Sequence, residues 1–380
     1  MDKMADVLGR AGAWCGQNKY LSAIKNAFQN FMPLTIAGAI GVLWCNVLVN
    51  DQTGLGLFFK PIMALDFLNP AFQAVNFCTI SCITVGITLG IAQEIGVWNM
   101  GAERAGYIPG LVGLAAWLSV TNTSHMVDGA KEAFTGIAGN ELGATGLFTG
   151  MIIGVLSVEL FCFFEKQDAL KIKMPEQVPP GVARAFEVLV PATITLIITA
   201  CIGSACYNLT GLYLNDVIKN GIQGPLGAVG ATIPGVMIIY LVIMLFWLVG
   251  IHGNNMLSAV KEALFTPLAL ENVEAFNKGE TPKNIINMYF LQMCGEFGGS
   301  GVTIGLVIAI MIFGKREDNK AIATLSLVPG LFNINETVTF GIPMVLNPIL
   351  GIPFVFACLV TILVGYVLTV IGFCPVACLT

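Results

Sequence analysis

Ionisable side chains are scarce in this sequence. Of 380 residues, 18 are Lys or Arg and 23 are Asp or Glu, together 11%, while 56% are hydrophobic. A soluble domain devotes roughly a quarter of its residues to charge, so this chain cannot cover a water-facing surface. The shortage excludes a soluble globular protein and a disordered chain, and a net charge of −5 excludes a basic nucleic-acid binder. Histidine is nearly absent, with only His125 and His252, which removes metal catalysis built on imidazole. The 11 cysteines form no CxxC pair and lie mostly in apolar runs, as small packing residues rather than a zinc or disulfide framework. The glycine-rich stretch Gly298–Gly301 lacks the Lys-Ser or Lys-Thr ending of a P-loop, and no other nucleotide fingerprint appears. A self-contained ATP-driven pump is thereby excluded.

What the chain has instead is long apolar runs, with a mean hydropathy of +0.81. They cover 31–50, 72–92, 106–120, 144–164, 188–209, 226–250, 284–314 and 342–373. A bilayer core needs roughly 20 apolar residues as a helix. A transmembrane β-barrel would alternate with period two; these runs are continuous, so helices are expected. The 43 glycines, many inside the runs, suit close helix packing or broken helices.

Residues 1–30 carry Lys3, Arg10, Lys19 and Lys25 with no apolar core between them, so no cleavable signal peptide is visible. Met4, Leu8, Ala11 and Cys15, then Leu21, Ile24, Phe28 and Phe31, recur at helical spacing. This predicts either an amphipathic helix on the membrane surface or a cytoplasmic leader. With the N-terminus inside, nine basic residues (Lys3, Arg10, Lys19, Lys25, Arg104, Lys166, Lys171, Lys173, Arg184) fall inside and three (Lys60, Lys131, Lys219) outside, up to residue 225. Beyond 250 the count fails. Segments 251–283 and 314–320 both read as cytoplasmic, with one glycine-interrupted run between them, so some segment there must re-enter or cross partially.

Polar groups at membrane depth mark candidate sites. Gly250-Ile251-His252-Gly253-Asn254-Asn255 ends the sixth run; it is either a cavity-facing break or a helix cap. Residues 328–348 are apolar at both ends around a polar centre of Asn333, Asn335, Glu336 and Thr337. Arms too short to span predict a re-entrant hairpin. Glu159 and Glu296 also lie within apolar runs, where snorkelling or a helix contact is the simpler reading. Neutral amides, one imidazole and one carboxylate, with no Arg or Lys beside them, suit the hydroxyls of a sugar better than an anion.

The same residues carry a resemblance. GIHGNN at 250–255, GGSG at 298–301 and PGLFNINETVTFGIPMVLNPILGIPF at 329–354 resemble the membrane subunit, enzyme IIC (EIIC), of bacterial phosphoenolpyruvate-dependent sugar phosphotransferase systems (PTS), in their lactose, cellobiose and N,N′-diacetylchitobiose branch. The resemblance implies an all-α polytopic fold of about nine to ten transmembrane helices with re-entrant hairpins, homodimeric in the bacterial cytoplasmic membrane. It implies an amphipathic segment at 1–30, a scaffold and dimerisation bundle of five spans at 31–209, an amphipathic connector at 210–225 and a substrate-binding transport domain at 226–380. Glu336 matches the family carboxylate on the 6-hydroxyl of the sugar, and His252 the imidazole on the same hydroxyl. Asn254 and Asn335, with Asn333 and Thr337 beside them, are the candidates for other hydroxyls. No cofactor is implied. The phosphate would come from a phosphocysteine on a separate EIIB, charged through EIIA, HPr and enzyme I.

Two departures stand out. Thr337 follows the glutamate where many relatives have proline, which frees the backbone beside it. Relatives continue past Phe373 with a further span, so the chain reads as lacking the last one. The alternatives are an ion-coupled secondary transporter using Glu159, Glu336 and His252 as a proton relay, and a relative that no longer transports.

Overall fold

The structure is a computed structural model describing all residues except 1, 52–53, 126–133, 176, 332, 343, 345–346 and 379–380; Lys131 and the side chains of Met4, Leu8, Cys15 and Glu336 lie outside the described part. Among the described residues the regular structure is helical apart from one two-residue ladder pairing Ser124 with Thr135 and His125 with Phe134. Among the described residues, four helices are long and apolar enough to cross a membrane, and up to six when each of two bent helix pairs counts as one span. The chain forms two compact units: Lys19–Pro225, and Leu226–Thr380 together with Met1–Asn18.

The break at Asn18 divides the expected amphipathic segment. Helix α1 (Asp2–Gln17) packs within the C-terminal unit, whereas the Leu21–Phe31 stripe belongs to α2 (Lys19–Leu43), the start of the first span. In the Lys19–Pro225 unit, α2 is followed by α3 (Ile83–Met100), α4 (Ile108–Val120), α5 (Ala144–Glu165) and α6 (Pro180–Thr210). Ile83, Ile87, Ile91 and Ile95, four apart, put one face of α3 wholly into the core. Small residues bring the backbones together: a Cβ on Gly113 would stand 2.3 Å from that of Ala92. At one end of the bundle, the buried carboxylate of Glu165 accepts from both Arg104 and Arg184 at 2.8 Å, tying the end of α5 to the start of α6.

The other unit is built from interrupted helices. It contains α7 (Ile233–Leu248), α8 (Gly253–Asn277), α9 (Met288–Gly295), α10 (Thr303–Phe313), α11 (Glu317–Leu331), α12 (Glu336–Gly341) and α13 (Pro348–Val370). The run expected at 284–314 is two helices parted by the glycine turn. Among the described residues of 328–348 are the end of α11 and the short α12, which pack on each other, and 251–283 is mainly the single helix α8. The core gathers Tyr240, Met244, Trp247, Phe265, Leu291 and Phe354 from four helices.

Candidate functional site

Three breaks in the C-terminal unit converge. The first is the turn between α7 and α8. Gly250 takes a φ of 82°, which an L side chain resists. Gly253 packs so closely on α7 that a Cβ would lie 2.0 Å from the carbonyl oxygen of Ile243. His252 is thereby held as the N-cap of α8, its Nδ1 accepting the Asn255 backbone N–H at 3.2 Å. An accepting Nδ1 puts the neutral ring's proton on Nε2, which becomes the donor. The indole of Trp247 lies against the imidazole, centroid to centroid 4.4 Å, and Trp247 also contacts Phe340 of α12 at 6.2 Å.

The second break is the glycine turn between α9 and α10. Gly298, Gly299 and Gly301 all have φ between 76° and 95°, and even Val302 is left-handed at 54°. A β-branched residue there is a strained conformation that the surroundings must enforce. They do so with hydrogen bonds: Thr303 Oγ1 donates to the Gly298 carbonyl at 2.8 Å, and the Gly298 N–H donates to Asn333 Oδ1 at 2.8 Å. The third break precedes α12, where Asn333 is left-handed at 61° and Asn335 stands at the N-cap position without a side-chain bond to the helix.

Ser300 joins all three. Its hydroxyl accepts from Asn254 Nδ2 at 2.9 Å, and its carbonyl accepts from Asn335 Nδ2 at 2.8 Å. A side chain on Gly299 would collide with Asn335, 2.5 Å from its Cβ. Asn254 Oδ1 is buried with no partner among the described residues. Thr337 is exposed on the first turn of α12. Glu336 opens the same helix. Asn333 and Asn335 therefore spend one end of their amides on the turn. Behind the turn lies an apolar cavity of about 280 Å³ lined by Gly301, Val302, Leu306, Met344 and Phe354; its lining suits hydrocarbon, not hydroxyls.

Three residues of this arrangement escape sequence reading. Ser300 is hidden inside a stretch that reads only as a helix break. Trp247 looks like one more apolar residue of its run. Lys261 sits in a segment that reads as extramembrane, yet it is buried and paired with Glu296, whose Oε1 also accepts from the Tyr240 hydroxyl at 2.8 Å. Glu159 belongs to the other unit, where it pairs with Lys19 at 2.5 Å. His125 makes local contacts to Asn122 and Phe134.

The family profile described as "Phosphotransferase system, EIIC" matches residues 25–358. The chain belongs to the EIIC family. This EIIC is 32% identical over 378 residues to the PTS system oligo-beta-mannoside-specific EIIC component of Bacillus subtilis (strain 168), covering 98% of this chain and 83% of that protein. It is 29% identical to the PTS system cellobiose-specific EIIC component of Lactococcus lactis subsp. lactis (strain IL1403), covering 96% and 86%. Among solved structures it matches the transporter ChbC, the IIC component from the N,N′-diacetylchitobiose-specific phosphotransferase system, with a TM-score of 0.87 at 29% identity, over 97% of this chain and 85% of that one. The all-helical polytopic membrane fold expected from the sequence is therefore that of the family. The EIIC is a multi-pass membrane protein of a bacterial phosphotransferase system.

Proposed function

We propose that this EIIC carries a β-linked disaccharide across the cytoplasmic membrane and presents its 6-hydroxyl for phosphorylation by phospho-EIIB, recharged through EIIA, HPr and enzyme I. The observation that carries this reading is Ser300, which accepts from Asn254 and Asn335 and so gathers neutral amides beside the helix that His252 caps. Sugars named for its relatives, cellobiose and N,N′-diacetylchitobiose among them, are β-linked disaccharides that such donors and acceptors suit. Glu336 orients the 6-hydroxyl and accepts its proton as the oxygen attacks phosphorus in line, the new O–P bond forming as the S–P bond breaks and the EIIB cysteine leaves as a thiolate. The Nε2–H of His252 donates to the same oxygen and holds it in place. Asn254 Oδ1, and the outward faces of Asn333, Asn335 and Thr337, serve the remaining hydroxyls. The protein acts as a homodimer with its N-terminus in the cytoplasm.

The deciding experiment is energy coupling in membrane vesicles. Uptake is expected to require phosphoenolpyruvate with the soluble components and to deliver sugar phosphate. Accumulation of free sugar on a proton gradient alone would overturn the proposal in favour of ion coupling. Failure under both conditions would favour a relative that has stopped transporting.

A further inference from the structure

Lys261 and Glu296 form an ion pair inside the C-terminal unit, with side chains 7% and 15% exposed. The Tyr240 hydroxyl donates to the same carboxylate oxygen at 2.8 Å, and the ammonium lies 5.6 Å from the centre of the Tyr240 ring. Three helices thus meet on one oxygen: α7 through Tyr240, α8 through Lys261 and the end of α9 through Glu296. Such a pair is not needed for stability, because apolar residues of similar volume often stabilise a protein as well or better. What it supplies is direction: two donors aimed at one acceptor allow one placement of the α9 end.

That placement matters because the glycine turn starts there. The Glu296 carbonyl accepts the Gly299 N–H at 2.8 Å, and the following residue, Ser300, holds Asn254 and Asn335. Lys261 lies on the helix capped by His252, nine residues further on, about 13 Å along its axis. We propose that Lys261, Glu296 and Tyr240 are positioning residues for the sugar, a buried clamp that fixes the glycine turn, and with it the Asn254–Ser300–Asn335 amide set, relative to the helix of His252. The clamp touches no hydroxyl itself and works through Ser300. This inference rests on the sugar-binding reading of the site.

The test uses the full chain in membrane vesicles with phospho-EIIB, and cellobiose and N,N′-diacetylchitobiose as probes. Lys261→Met and Glu296→Gln each strand a buried charge or its partner and should lower folded yield. The double variant Lys261→Met/Glu296→Gln removes both charges and should fold with a melting temperature near the parent's. Its KM is expected to rise about tenfold or more, the loss of roughly one well-aimed hydrogen bond, while kcat at saturating sugar stays within about threefold. A clamp that only held the fold together would leave KM unchanged in the folded double variant, and that result would overturn the proposal; so would a fall confined to kcat. If the double variant does not fold, Tyr240→Phe decides, since it deletes one hydroxyl: a KM raised threefold or more supports the clamp, and a parental KM refutes it. A parent that binds and phosphorylates no β-linked disaccharide brings down the sugar-binding reading and this inference with it. An active parent with unaffected variants brings down the clamp alone.

Discussion

The two units solve the same solvent problem in different ways. In Lys19–Pro225 several buried hydroxyls bond back to their own helix: Thr195 Oγ1 donates to the Pro191 carbonyl at 2.8 Å and Ser157 Oγ to the Ile153 carbonyl at 2.6 Å, while Thr84 Oγ1 reaches the Gly143 carbonyl at 2.7 Å. In the C-terminal unit α9, α10 and α12 are short pieces beside the longer α8 and α13, and amides reach across the chain. Asn272 and Asn287 both donate to the Ala377 carbonyl, at 3.1 and 3.0 Å, and Asn335 donates to Ser300. In lipid every freed backbone group must find a partner inside the protein. A broken helix therefore recruits side chains with both donors and acceptors, and those same side chains can recognise a sugar.

The sharpest way to break this contrast is Glu336→Gln. If the hairpin carries the chemistry, sugar phosphorylation should fall about a hundred- to ten-thousandfold, with folding intact; normal phosphorylation would remove Glu336 from its role.

A smaller effect compares the two kinds of polar residue directly. Asn335→Leu leaves the Ser300 carbonyl unsatisfied in the interior, a cost of about 1–3 kcal/mol. Thr195→Val removes a bond to a helical carbonyl within its own helix and should cost about 0.5 kcal/mol. Thermal unfolding in detergent checks both, and equal losses would end the distinction.

The smallest effect concerns the rim of the scaffold. Burial pushes the Glu141 carboxyl above its ordinary value of 4.5, with His125 and Asp216 nearby. The folded protein then keeps a proton that the unfolded chain has lost, so stability falls as pH rises above that value. Glu141→Gln should flatten this decline and raise the melting temperature slightly at neutral pH, which a pH series of melting curves would reveal. An unchanged slope would show that the carboxyl ionises freely.

Much of this was legible in the residues. The glycines at 298–301 and the polar centre at 333–337 announced breaks, because a backbone leaving a helix needs permissive φ and polar partners in its own neighbourhood. GIHGNN supported a cap and a cavity equally; His252 takes the N-cap of α8, and Asn254 Oδ1 lies buried with no partner among the described residues. The placement of α1 was not legible. Its stripe suited a membrane surface, but Gly12 lets it approach Ile251, where a Cβ would stand 3.1 Å from the side chain.

Hydropathy, period and glycine content act over a few residues, so they set the solvent, the helical class and the positions where helices break. Which breaks meet is a matter of long-range packing. Ser300 lies 46 residues from Asn254 and 35 from Asn335, and Lys261 lies 35 from Glu296. Nothing local in the chain selects those partners. They are chosen by packing, where a buried donor or charge must take the one complement within reach.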